Sequence, residues 1–102
     1  MALRKIAELE GHRVAEAANG VEALVLLGKR SFALAFVDIV MPVMHGVDLM
    51  EKMRGGFPDT KIVAVSALGA SWIPPVELAI EGMLQKPFAV EDVRMTLRTL
   101  LS

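Results

Sequence analysis

The sequence predicts a single α/β layer sandwich, a parallel sheet with helices against its faces, and three observations lead there. The apolar runs at 33–37 and 61–65 are continuous rather than alternating, as expected of strands covered on both faces. Apolar residues recur at helical spacing before, between and after them. Each run closes on a polar residue, Asp38 or Ser66, and a third short run at 83–85 closes on Lys86. A side chain at the C-terminal end of a buried strand faces the crevice where open α/β sheets bind ligands.

Taken in order, Leu3, Ile6, Ala7 and Leu9 follow helical spacing, and Gly11 suits a left-handed stop. His12 to Ala17 reads as a short strand with weak alternation. Asn19 with Glu22 resembles a capping box that opens a helix through Leu24, Val25 and Leu27, weakened at its end by Gly28. Ala33 to Asp38 is the first continuous strand. Gly46 to Arg54 carries Val47, Leu49, Met50 and Met53 on one helical face and ends at Gly55-Gly56. Phe57 to Thr60 is a turn, and Lys61 to Ser66 is the second continuous strand. Trp72 to Gly82 is expected as a short helix with Pro74-Pro75 in its first turn. Met83 to Lys86 is a short strand, and Val90, Val93, Leu97 and Leu100 mark a final amphipathic helix. A helix followed by four strand–helix pairs implies parallel strands joined by right-handed crossovers.

A chain of 102 residues is one domain, 1–102, without repeats or linkers. A formal net charge of -1, with both signs interspersed, offers no field to steer nucleic acid or an anionic membrane. No apolar stretch approaches the ~18 residues of a membrane span. The acid Glu8 arrives too early for a signal-peptide core. The absence of cysteine excludes a disulfide framework and fits the cytoplasm. The apolar fraction of 54% is high for so small a chain and points to a partner surface.

Acid, hydroxyl and amine on three successive strand ends are the parts needed to accept a phosphoryl group. Singly they are ordinary: a helix-capping Asp, a loop hydroxyl and a solvated Lys. Together, Asp38-Ile39-Val40-Met41-Pro42-Val43-Met44-His45-Gly46, Ser66-Ala67 and Lys86-Pro87-Phe88 resemble the receiver domain of bacterial response regulators. The stretch from Gly11 to Leu24 is similar to that family's second strand and helix, and the resemblance spans essentially the whole chain. It implies a flavodoxin-like three-layer sandwich working in a two-component phosphorelay. By matching position, Asp38 resembles the phosphoacceptor, Ser66 the switch hydroxyl and Lys86 the lysine that neutralises phosphoryl charge. The resemblance further implies a cis Lys86-Pro87 bond and Mg²⁺ held by Asp38 and the Val40 carbonyl. Its implied partner is a histidine kinase or phosphotransfer protein, and the implied role is regulatory rather than enzymatic.

Four departures qualify this. The family's first strand and its acidic pair have no counterpart, because Met1 already falls in what resembles the first helix. Glu8, Glu10 and Glu16 read as solvated surface charge, so Mg²⁺ binding is expected to be weak or absent and phosphoryl transfer impaired. In the family's strand order the absent strand is central. Either the strands at His12–Ala17 and Ala33–Asp38 close up, or exposed edges pair between chains; the apolar composition favours a homo-oligomer. Met83 stands where the family places an aromatic switch residue. The region from Ser66 to Lys86 looks shortened, with Trp72 either a contact residue or core. His45 occupies a position often acidic in the family, and without partners it is no zinc ligand.

Two competing readings remain. A degenerate receiver acting as a phosphorylation-independent interaction or oligomerisation module would account for the absent acids. A phosphatase of the haloacid dehalogenase type wants a second Asp two residues after Asp38, and Val40 stands there. The chain ends with the final helix, so no DNA-binding segment is expected.

Overall fold

The computed structural model describes residues 2–40, 43–67 and 72–101. Helix α1 spans Ala2–Leu9 and buries Leu3, Ile6 and Ala7, the i, i+3, i+4 stripe expected from the sequence. Gly11 ends it at φ +91, a left-handed conformation that costs a side-chain-bearing residue about 1–2 kcal/mol. From there the Gly11 N–H donates to the Glu8 carbonyl at 3.0 Å and the His12 N–H to that of Ala7 at 3.0 Å. Helix α2 spans Gly20–Lys29. Asn19 caps it by accepting the Glu22 N–H at 2.9 Å, while the Glu22 carboxylate reaches back to the Ala18 N–H at 2.9 Å.

Strand β1 (Leu34–Asp38), helix α3 (Gly46–Gly56), strand β2 (Lys61–Ser66), strand β3 (Gly82–Gln85) and helix α4 (Val90–Leu101) follow. The three strands form one parallel sheet in the order β1-β2-β3. Alternation along the strands splits the core into two layers. Val37, Ile62 and Ala64 meet Leu27 of α2 and Leu49, Met50 and Met53 of α3. Val63, Val65 and Leu84 meet α1 through Ile6 and α4 through Val93 and Leu97. Ile62, Val63, Met50 and Val93 are wholly excluded from solvent, each contributing roughly 1.5–3 kcal/mol of burial. The result is the α/β sandwich that the patterning predicts, in the three layers that the resemblance implies.

Three expectations are corrected. Residues 12–17 form no strand: they pair with neither β1 nor any other strand among the described residues, so a ladder has nothing to build on. The segment and β1 do not close up, and the sheet has three described strands instead of four. Second, β1 is only partly covered. Val37 alone among its five residues is buried, because the strand lies at an edge of the sheet. Third, Trp72–Gly82 is not a helix. It contains one 3-10 turn at Val76–Leu78, ended by Ala79 in the left-handed region at φ 46. A proline turns the residue before it away from the helical region, and Pro75 itself is extended at φ -58 and ψ 136, which leaves little more than a turn before β3. Trp72 is half-buried and packs on the α2–α3 side of the core, while Met83 is exposed on β3.

Candidate functional site

The ladder register brings together the three polar strand ends. Asp38 pairs with Val65, the residue before Ser66, and Ser66 pairs with Gln85, the residue before Lys86. The Lys86 N–H donates to the Ser66 carbonyl at 2.8 Å, extending the β2–β3 ladder by one bond. Asp38, Ser66 and Lys86 therefore stand at one end of one sheet, on neighbouring strands, as expected for a crevice at carboxyl strand ends.

Asp38 and Lys86 are in direct contact. Lys86 Nζ donates to Asp38 Oδ2 at 2.5 Å, and the other carboxylate oxygen, Oδ1, accepts the Val40 N–H at 3.0 Å. The ion pair is partly exposed, with 31% of the Asp38 side chain and 40% of that of Lys86 open to solvent. Ser66 is buried at the end of β2, and its side chain is not one that solvent reaches freely. The Lys86-Pro87 bond is cis, as the resemblance implies. Met41 and Pro42, part of the motif that follows Asp38, lie outside the described residues.

Sequence reasoning singled out no role for Gly46, which forms the back of the site. A Cβ there would lie 2.2 Å from the Asp38 carbonyl oxygen and 2.6 Å from Ile39 Cα. Its N–H donates to the Ile39 carbonyl at 3.2 Å. The start of α3 thus packs against the end of β1 with room for glycine alone. The signal was in the sequence, a glycine opening a helix shortly after a polar strand end, but its reason is a contact distance. His45 precedes α3 as an exposed cap whose side chain makes no capping bond.

The donors present do not by themselves suit Mg²⁺. The ion is held at near-octahedral geometry, usually by one or two carboxylates with phosphate and water. Here Asp38 supplies one carboxylate, already engaged by an ammonium group and a backbone N–H. Among the described residues no three His, Asp or Glu side chains gather to hold a metal. Glu8 and Glu16 are exposed and pair with Arg4 at 3.2 and 3.7 Å. Glu10 departs from the solvated role expected of it. It lies between Arg98 and Arg94 of α4 at 3.0 and 3.1 Å, with 16% of its side chain exposed.

With this geometry in view, the comparisons with known proteins agree. The family model for the response regulator receiver domain matches residues 1–98. The response regulator receiver protein CpdR of Brucella abortus is 33% identical over 93 residues, covering 89% of this chain and 78% of that protein. The sensor kinase CckA of the same organism is 33% identical over 96 residues, 89% of this chain but 10% of the kinase. The probable transcriptional regulator ycf27 of Porphyra purpurea is 29% identical, with 38% of its length covered. The chain thus spans well under half of these last two relatives. Among solved structures, the response regulator TrrA of Thermotoga maritima, in complex with Mg²⁺ and BeF, superposes with a TM-score of 0.86 at 25% identity. That match covers 97% of this chain and 86% of TrrA. The NtrX receiver domain of Brucella abortus shares the fold, with a TM-score of 0.88 at 20% identity over 97% and 86% of the two chains.

The fold and the match together define a regulatory domain of two-component signalling. The chain belongs to the response regulator receiver domain family.

Proposed function

We propose that this receiver accepts a phosphoryl group on Asp38 from a histidine kinase or phosphotransfer protein in the cytoplasm. The observation that carries the reading is the Asp38–Lys86 contact at adjoining strand ends, with Ser66 one position beyond Asp38's ladder partner. A carboxylate oxygen of Asp38 forms the new bond to phosphorus as the bond to the donor's leaving group breaks, and the electron pair departs with that group. The product is an acyl phosphate. Lys86, released from the free carboxylate, balances charge on the phosphoryl oxygens, and the Ser66 hydroxyl donates to one of them. The Val40 N–H holds one carboxylate oxygen and so orients the nucleophile. The modification is of the domain itself and turns over no substrate.

With Asp38 the one carboxylate at the site among the described residues, a second reading is also favoured, a receiver that works through its surfaces without phosphorylation. Acetyl phosphate with Mg²⁺, followed by intact mass on the parent chain and on Asp38→Asn, separates the two. The first reading expects a slow gain of one phosphoryl group by the parent and none by the variant. No gain by the parent, under conditions that modify an intact receiver, overturns it in favour of the second.

A further inference from the structure

Helix α2 carries more apolar surface than its own chain covers. Glu22 and Lys29 are its only charged residues, yet Leu27 is the one large side chain it buries. Ala23 and Leu24 pack in part against the α2–α3 side of the core. Val21 and Val25, one turn apart, point the other way and are 48% and 51% exposed. A helix that is apolar all round is ordinarily covered all round.

Gly28 belongs to the same outward stripe, at i, i+4 and i+7 with the two valines. Its φ is not left-handed, and a Cβ there would meet nothing within 4 Å. Gly20 and Gly46 differ, since each is crowded by another part of the chain. Glycine weakens a helix relative to alanine, so Gly28 carries a cost that no turn or contact within this chain explains. What it offers is a flat place where a second surface can approach closely.

Charge identifies that surface. Glu22 and Lys29 lie two turns apart on one flank of the stripe, and neither forms an ion pair among the described residues. We infer that the stripe is a contact between two copies of this chain, with α2 packed antiparallel on α2 about a two-fold axis. An axis passing between residues 25 and 26 sets Glu22 level with Lys29 of the second copy, and Lys29 level with its Glu22. The same axis places Gly28 between Val21 and Val25 of the second copy, so two valines close over the missing side chain. One relation thus accounts for the valines, the glycine and the charges. A parallel pairing would set acid against acid and amine against amine. A single helix of 10 residues, about 15 Å long, supports a weak and reversible contact rather than a permanent one.

Sedimentation equilibrium of the full chain from about 10 μM to about 1 mM is expected to show monomer passing into dimer. Gly28→Leu fills the flat place while improving helix propensity. Its melting temperature in dilute solution is expected to match or exceed the parent's, and its dimer to be at least about tenfold weaker. Lys29→Glu sets acid against acid and is expected to weaken the dimer about three- to tenfold, less so at about 1 M salt. The chain has no cysteine, so an introduced thiol reports on itself alone. Val25→Cys, beside the axis, is expected to give a disulfide-linked dimer as oxidised glutathione is reduced, whereas Val21→Cys, remote from its own copy, is not. A chain that stays monomeric over the whole range overturns the proposal. So does a dimer that Gly28→Leu and Lys29→Glu leave unchanged, which belongs to another face. A disulfide through Val21→Cys in preference to Val25→Cys overturns the antiparallel arrangement and the proposal with it. No phosphoryl donor enters the measurement, so its result is independent of whether Asp38 is modified.

Discussion

Gly46 decides whether Asp38 can stand where it does. The backbone of α3 approaches the Asp38 carbonyl so closely that even a methyl group must displace either the strand end or the helix start. Gly46→Ala is therefore expected to lower stability by about 1–3 kcal/mol, the usual cost of forcing atoms into a filled space. It also shifts the Asp38 carboxylate away from Lys86. Chemical denaturation measures the first effect, and acetyl phosphate labelling of the folded variant measures the second. A variant as stable as the parent would show that the contact relaxes freely. At this scale the sequence was informative about chemistry: Asp38, Ser66 and Lys86 were legible as strand-end groups. It was silent on the bond from the Val40 N–H to Asp38 and on the steric demand at Gly46, because both are distances between atoms.

Among the elements, the segment from Trp72 to Gly82 departs furthest from its pattern, and Arg54 shows what holds it. From α3, the Arg54 guanidinium donates to the carbonyls of Leu78 at 2.5 Å and Ala79 at 3.0 Å, and pairs with Glu81 at 2.6 Å. Glu81 in turn accepts the Ile62 N–H at 2.7 Å, tying the segment to the start of β2. A planar group with five donors serves several acceptors at once, which an ammonium group cannot. Arg54→Ala is expected to cost about 2–3 kcal/mol, since it strips charged hydrogen bonds from partly buried carbonyls. Arg54→Lys should recover only part of that. Thermal unfolding of the two variants checks the ordering, and equal stabilities would remove the guanidinium from this role. Helical spacing predicted α1, α3 and α4 because each buries a stripe of its own residues. It misled at 72–82, where adjacent prolines hold the backbone extended and a distant arginine satisfies the carbonyls.

For the molecule as a whole, α1 and α4 are joined at their ends by Glu10, which accepts from Arg98 and Arg94. The hydrogen bond from Arg98 holds the Glu10 carboxyl below its ordinary value of 4.5, against the opposing effect of burial, with the charges of Arg98 and Arg94 assisting. A carboxyl depressed by folding adds stability above its unfolded value and loses it as pH falls through the folded one. Glu10→Gln is thus expected to melt below the parent at neutral pH, with the gap closing as pH drops below 4.5. A gap that stays constant from neutral to acid pH would assign the loss to packing instead of charge.

The sequence by itself determined the α/β class, the helices α1 to α4 apart from their last turns, the strands β1 and β2, and the polar residues at the strand ends. Those follow from periodicity, capping and composition, which are properties of neighbouring residues. Only the tertiary structure decided that 12–17 is not a strand, that β1 pairs with β2 alone among the described strands, and that Glu10 and Arg54 are structural ties. Strand formation needs a partner in register, and an ion pair needs two groups brought together from separate elements. Spacing along a chain can propose such pairs, but the packed arrangement of the layers selects among them.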